Sequence, residues 1–130
     1  MVSTKGRYAL RVMVDLAKHS DKLTTLKEIA ERQGISKKYL EIIVKDLVKA
    51  GYIIGFSGKG GGYKLTRAPE DYNVGEIVLQ TEGTLASVAC LADDTFNCPR
   101  REDCVTLPLW AELDQLIHDF FYSKKLSDLY

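Results

Sequence analysis

The sequence contains no apolar run approaching the roughly 20 residues needed to span a bilayer, and its least charged stretch, residues 74–90, is interrupted by Glu76 and Glu82. An integral membrane protein is excluded on that ground. The N-terminus carries early positive charge, yet Arg11 and Asp15 interrupt what would be a signal-peptide core, and no small-residue cleavage site follows; a cytoplasmic location is expected. Histidine occurs only 2 times, and no His-supported nucleophile or paired-carboxylate pattern is recognisable, which argues against an enzyme. With 3 prolines and 28% charged residues, the composition is neither disordered nor low-complexity. Cysteine is absent everywhere except residues 90–104.

What is present suits one domain, or a compact domain with an extension: 130 residues, 45% of them hydrophobic. The net charge is zero, but it is unevenly distributed. Residues 1–72 hold 14 Lys or Arg against 8 Asp or Glu, and residues 73–130 hold 4 against 10, giving +6 and −6. The basic half fits nucleic acid or another anionic surface, and the acidic half fits self-association, regulation or solubility.

Apolar residues Ala9, Val12, Met13, Leu16 and Ala17 recur at helical spacing and predict a first helix from Tyr8 to Lys18. Thr25 and Glu28 form a capping-box pattern for a second, short helix that Gly34 ends. Ser36 caps a third, in which Leu40, Ile43, Val44, Leu47 and Val48 form the apolar face, Lys37, Lys38, Glu41, Lys45 and Lys49 the exposed one, and Gly51 the stop. Two such helices around a tight turn read as helix-turn-helix. The β-formers of 52–57, the glycines of 58–62 and the alternation of 63–67 predict a hairpin wing. Asn73 and Glu76 suggest a capping box for a fourth helix ending at Gly83. A loop is expected over 84–103, before a long helix carrying Pro108, Trp110, Leu113, Leu116, Ile117, Phe120 and Phe121. The expected class is mainly α with a small β-hairpin: a winged helix-turn-helix plus a long C-terminal helix that carries more apolar surface than one small domain needs. Residues 1–72 would form the DNA-binding region, and residues 73–130 the linker helix, the cysteine loop and this last helix.

In a helix-turn-helix the first residues of the second helix face base edges. Here they are Ser36, Lys37, Lys38, Tyr39 and Glu41. Lysines suit guanine acceptors or phosphates, Ser36 a phosphate, and Glu41 a cytosine amino group. In the wing, Gly60 and Gly61 allow close approach of backbone to the sugar-phosphate wall and leave Lys59 to enter the minor groove. Lys5, Arg7 and Arg11 would add phosphate contacts beside the first helix. Double-stranded DNA is favoured over RNA because no exposed aromatic platform is evident. The glycine run leads into a strand rather than opening a helix, which disfavours a phosphate-binding loop. The competing reading is a winged-helix adaptor that binds protein.

Cys90, Cys98 and Cys104 are spaced C-x7-C-x5-C. Their odd number and a reducing compartment disfavour a structural disulfide. Zinc sites use closer pairs. An iron–sulfur cluster and a metal-free thiol switch both remain compatible with the spacing. His118 lies about 20 Å along a helix from Cys104 and is poorly placed as a fourth ligand. Asp93, Asp94, Glu102 and Asp103 read as solvated loop charges.

The combination Ser3-Thr4-Lys5-Gly6-Arg7-Tyr8-Ala9-Leu10, Ser36-Lys37-Lys38-Tyr39-Leu40-Glu41, Gly60-Gly61-Gly62-Tyr63, and Cys104-Val105-Thr106 ahead of Trp110 resembles the Rrf-two family of bacterial winged-helix regulators, with its IscR-, NsrR- and CymR-like groups. The likeness covers nearly the whole chain. It adds Tyr8 to the expected DNA-facing set and implies a homodimer held by the C-terminal helix, a pseudo-palindromic operator and, mostly, repression. It implies that Cys90, Cys98 and Cys104 are the ligands of a two-iron or four-iron cluster sensing iron–sulfur, redox or nitric oxide status. Leu107 stands where IscR-like members place a histidine, and Arg7 about where NsrR-like members place an aspartate, so no fourth ligand is defined. Ser57 replaces the usual arginine before the wing glycines. CymR-like members lack the cysteine triad and answer to a partner enzyme.

Overall fold

The computed structural model describes residues 2–92 and 98–130. Its elements are α1 (Thr4–Lys18), α2 (Leu26–Gln33), α3 (Lys37–Lys49), β1 (Ile53–Phe56), β2 (Gly62–Leu65), α4 (Val74–Glu82), α5 (Ala89–Ala92) and α6 (Leu107–Tyr122). Short 3-10 turns occupy Pro69–Asp71 and Leu126–Leu129. The mainly helical class with one hairpin and a long C-terminal helix is as expected.

Helix α1 starts at Thr4 rather than Tyr8. Residues 4–7 contain no large apolar side chain, so periodicity could not reveal them. The start is set by Ser3, whose hydroxyl accepts from the Gly6 N–H at 3.2 Å. In α2 the capping box forms as expected between Thr25 and Glu28, and Gly34 ends the helix in the left-handed region at φ 65°. A side chain is disfavoured there, which makes Gly34 suited to the tight turn into α3. Ser36 then caps α3 by accepting from the Tyr39 N–H at 3.2 Å.

The core draws Ala9, Val12, Met13 and Leu16 of α1 against Ile29 of α2 and Leu40, Ile43, Val44 and Leu47 of α3. Each larger side chain among these contributes about 1.5–3 kcal/mol by leaving water. Val48, expected on this apolar face, is instead 40% exposed, because it lies at the edge of the stripe toward the wing. Asp15 is buried at 1% exposure. It accepts from Arg32 Nη2 at 2.7 Å and Nε at 3.0 Å, and from Gln33 Nε2 at 2.9 Å. Burial works to raise the Asp15 carboxyl, but the bonds from Arg32 and Gln33 and the nearby Arg32 and His19 charges outweigh it, holding it below its ordinary range.

The hairpin is antiparallel, pairing Ile53 with Leu65 through to Phe56 with Gly62. The hairpin is anchored at both ends of β2. Thr24 and Tyr63 exchange backbone hydrogen bonds at 3.0 and 2.8 Å, and Gly62 passes so close that a Cβ there would stand 2.8 Å from the Thr24 carbonyl oxygen. The buried Tyr72 hydroxyl donates to the Tyr52 carbonyl at 2.7 Å and accepts from the N–H groups of Thr66 and Arg67 at 2.9 and 3.0 Å.

Helix α4 lies along α1 and meets α6. The expected Asn73–Glu76 capping box forms only on one side. Asn73 Oδ1 accepts from the N–H groups of Gly75 and Glu76 at 2.8 and 3.3 Å, while its amide donates to the Tyr122 carbonyl at 2.7 Å, tying the start of α4 to the end of α6. The chain then returns to the core, where Leu126 is fully buried. The expected loop 84–103 contains the one-turn helix α5, built from helix formers Ala89, Leu91 and Ala92 around Cys90. Residues 93–97, including Asp93, Asp94 and Asn97, lie outside the described residues.

Candidate nucleic-acid interface and cysteine segment

Once Leu40, Ile43, Val44 and Leu47 are committed to the core, 3.6-residue periodicity turns Lys38, Ile42, Lys45 and Lys49 outward. Lys37, Lys38, Glu41, Lys45 and Lys49 are all exposed. Beside this face stands the wing, and between them runs an open groove of about 980 Å³ whose lining includes Lys27, Lys37, Glu41, Lys45, Ser57 and Gly61. Lys59 and Gly60 are exposed at the wing tip. Gly58 and Gly60 hold positive φ angles of 89° and 78°, so the tip depends on residues without a Cβ. Gly61 has a different reason: a side chain there would run into the Phe56 carbonyl oxygen.

The expected residues on α1 divide by role. Arg7 is exposed, its guanidinium donating to Thr4 Oγ1 at 3.3 Å. Tyr8 is half-buried against Tyr39, the rings meeting edge to face at 5.7 Å, so these two position α1 against the start of α3. Lys5 forms an ion pair with Asp46 at 2.5 Å. Arg11, expected as a phosphate contact, is engaged internally. It lies over the Tyr8 ring at 5.2 Å and donates to Gln33 Oε1 at 3.1 Å and to the Gln33 carbonyl, satisfying the end of α2. Lys27, which sequence reasoning left out, enters the groove because α2 begins against the wing. Its only sequence signal is a lysine in the first turn of a helix, and that does not distinguish a binding residue from a solvated one.

Cys90 lies on α5, Cys98 follows the undescribed residues, and Cys104 precedes α6; all are free, partly buried thiols. The Cys104 thiol is held below its usual value by hydrogen bonding to the Thr106 hydroxyl, 3.4 Å away, and then to the Thr106 backbone N–H. Three free thiols on one short segment have the right donor chemistry for an iron–sulfur cluster. Among the described residues, however, no three His, Cys, Asp or Glu side chains are gathered closely enough to hold a metal ion. His118 is stacked on Tyr122 at 4.3 Å near the far end of α6, away from the thiols in sequence.

A lysine-lined helix after a glycine turn, flanked by a glycine-tipped wing, defines a winged helix-turn-helix protein of the DNA-binding type. The family model described as Rrf2, iron-dependent transcriptional regulator, matches residues 2–130, and the chain belongs to this family of DNA-binding transcriptional regulators. It is similar to the protein rrf2 of Nitratidesulfovibrio vulgaris, 39% identical over 129 residues, 98% of this chain and 85% of the relative. The regulator IscR of Erwinia tasmaniensis is 36% identical, again over 98% of this chain and 77% of the relative. Among solved structures, CymR of B. subtilis superposes with a TM-score of 0.82 at 33% identity, covering 99% of this chain and 95% of that one. IscR of T. potens gives 0.79 at 38% identity, covering 99% and 85%. The family expectation is borne out, and the family is one of transcriptional regulators rather than enzymes. Among the described residues no helix is long and apolar enough to cross a membrane.

Proposed function

We propose that the chain acts as a homodimeric repressor on a pseudo-palindromic operator, with residues 1–72 contacting DNA and residues 73–130 carrying the dimerisation and sensing elements. The observation that carries this is the shared groove between the basic outer face of α3 and the wing. Lys37 and Lys38 meet guanine acceptors or phosphates, Ser36 supports a phosphate, and Glu41 accepts from a cytosine amino group. Lys59 enters the minor groove while Gly60 and Gly61 let the wing backbone approach it. Arg7 contacts a flanking phosphate, Tyr8 and Tyr39 brace the start of α3, and Lys5 exchanges Asp46 for a phosphate on binding.

On α6, Leu109, Leu116 and Phe120 are 57%, 64% and 59% exposed. No residue of that helix is buried. An apolar row of this kind supports pairing with α6 of a second copy. Cys90, Cys98 and Cys104 are the candidate ligands of an iron–sulfur cluster. When bound, the cluster supplies a centre sensitive to oxidation and nitric oxide. The segment holding the thiols joins α4 to α6, so a change of state at the thiols bears on both the DNA-binding core and the dimer helix. A second reading is a metal-free thiol switch, supported by the Thr106 hydroxyl beside the Cys104 thiol, which holds it below its usual value; the other alternative without a cluster is a partner-controlled repressor.

Selection from a random pool of duplex DNA tests the first claim. The expected product is a pseudo-palindrome whose half-site centres lie about 34 Å apart; a pool with no enriched duplex overturns the claim. Iron, sulfide and visible absorbance of protein purified without oxygen decide the sensor. Iron with sulfide, both lost in Cys98→Ala while the fold persists, supports the cluster. Colourless, metal-free protein from a cluster-competent host supports the thiol or partner reading.

A further inference from the structure

The outer face of α3 contains one large aliphatic side chain that the proposed contacts leave unused. Ile42 is 52% exposed, takes no part in the hydrophobic core and lies on the side opposite Leu40, Ile43, Val44 and Leu47. At 3.6 residues per turn its neighbours on that face are Lys38, one turn before it, Lys45 and Asp46, one turn after it, the carboxylate paired with Lys5, and Lys49, two turns after it. A β-branched residue is a mediocre helix former, so Ile42 is not accounted for by helix propensity. A docking patch for an apolar protein surface would need contiguous apolar area. Ile42 is bracketed by charged side chains instead: three lysines, which suit a polyanion, and Asp46, whose charge Lys5 offsets.

We infer that Ile42 is a specificity-determining residue that reads the methyl group of a thymine in the major groove. This rests on the DNA-binding reading above. Of the groups that base pairs present in the major groove, the thymine C5-methyl is the apolar one. A branched aliphatic side chain held between phosphate-seeking lysines is the matching protein group. Lys38 and Lys45 fix the helix on the backbone, and Ile42 lies about 6 Å along the axis from Lys38, the rise of roughly two base pairs. Contact excludes water from both methyl-bearing surfaces. Burial of one methyl-sized group corresponds to about a fourfold change in affinity per half-site.

The test uses the duplex selected by the wild-type chain, with each thymine replaced in turn by deoxyuridine, which removes only the methyl. The expected result is one position in each half-site where the replacement weakens wild-type binding about fourfold and leaves Ile42→Ala binding unchanged. Ile42→Val, which keeps a branched aliphatic end, restores the sensitivity. Far-UV circular dichroism and thermal melting verify that the variants fold, as a surface substitution should allow. If uridine replacement affects wild type and Ile42→Ala equally at every position, the inference is overturned. A random pool that yields no duplex for the wild-type chain overturns the DNA-binding reading and this inference with it, whereas equal methyl sensitivity overturns this inference alone.

Discussion

The carboxylate of Glu82, the last residue of α4, accepts hydrogen bonds from both the backbone N–H and the hydroxyl of Ser3, at 2.8 and 2.7 Å. Ser3 in turn caps α1, so the residue preceding Gly83 and the cysteine segment secures the start of the helix bearing Lys5, Arg7 and Tyr8. The carboxylate fits because residue 6 is glycine: a Cβ there would overlap Glu82 Oε1.

This arrangement predicts a change of sign. Glu82→Ala should cost about 1–2 kcal/mol by removing two hydrogen bonds. Gly6→Ala alone should be neutral or destabilising, because the helix-propensity gain of about 0.5–1 kcal/mol is offset by displacement of Glu82. In the Glu82→Ala background the same Gly6→Ala change should stabilise. Urea unfolding of the four proteins measures the cycle, and equal effects of Gly6→Ala in both backgrounds would contradict the contact.

Asp15 predicts an acid limb of stability. Its folded-state carboxyl lies below the ordinary range, so its contribution is present above about pH 4, the unfolded value for aspartate, and is lost as pH falls through the folded value. Asp15→Asn should lower stability at pH 7 by roughly 1–3 kcal/mol. It should also flatten the decline below about pH 5. A variant whose stability falls with acid in parallel with wild type would show that Asp15 does not supply that limb.

The row on α6 makes a separate prediction about assembly. Leu116→Glu and Phe120→Glu alter side chains that are already exposed in the single chain, so the protomer should remain folded. Each should weaken self-association by about tenfold or more, since each removes apolar burial from both copies. Sedimentation equilibrium reads this directly. A wild-type chain that is monomeric at high micromolar concentration would contradict the dimer, and variants that dimerise normally would place the interface elsewhere.

Elements governed by local chemistry were legible in the sequence. The Thr25–Glu28 box, Gly34, the Ser36 cap and the buried stripe of α3 all depend on residues within a few positions of one another, and the glycine-tipped wing follows from the same kind of signal. The lysine face of the candidate interface came from periodicity alone. Contacts between distant residues were not legible. Asp15 finds Arg32, Thr24 finds Tyr63, and Leu126 returns to the core; no spacing rule joins such pairs. The bonds of Arg11 to Gln33 escape sequence reading for the same reason: a cation near a basic face shows only its charge, not the carbonyl end of α2 that it meets. The cysteine segment revealed its donor chemistry by composition. Its spatial arrangement depends on a chain with little apolar periodicity, which no helical or strand pattern specifies.

The central claim is that the basic face of α3 grips a polyanionic duplex, and the dependence of DNA affinity on salt tests it most directly. For the wild-type chain, log Kobs should fall linearly and steeply with log salt, by about 0.9 for each phosphate neutralised. Lys38→Ala should reduce that slope by roughly 1 for each phosphate contact it removes. A flat salt dependence, or a Lys38→Ala protein with wild-type affinity and slope, would contradict the account.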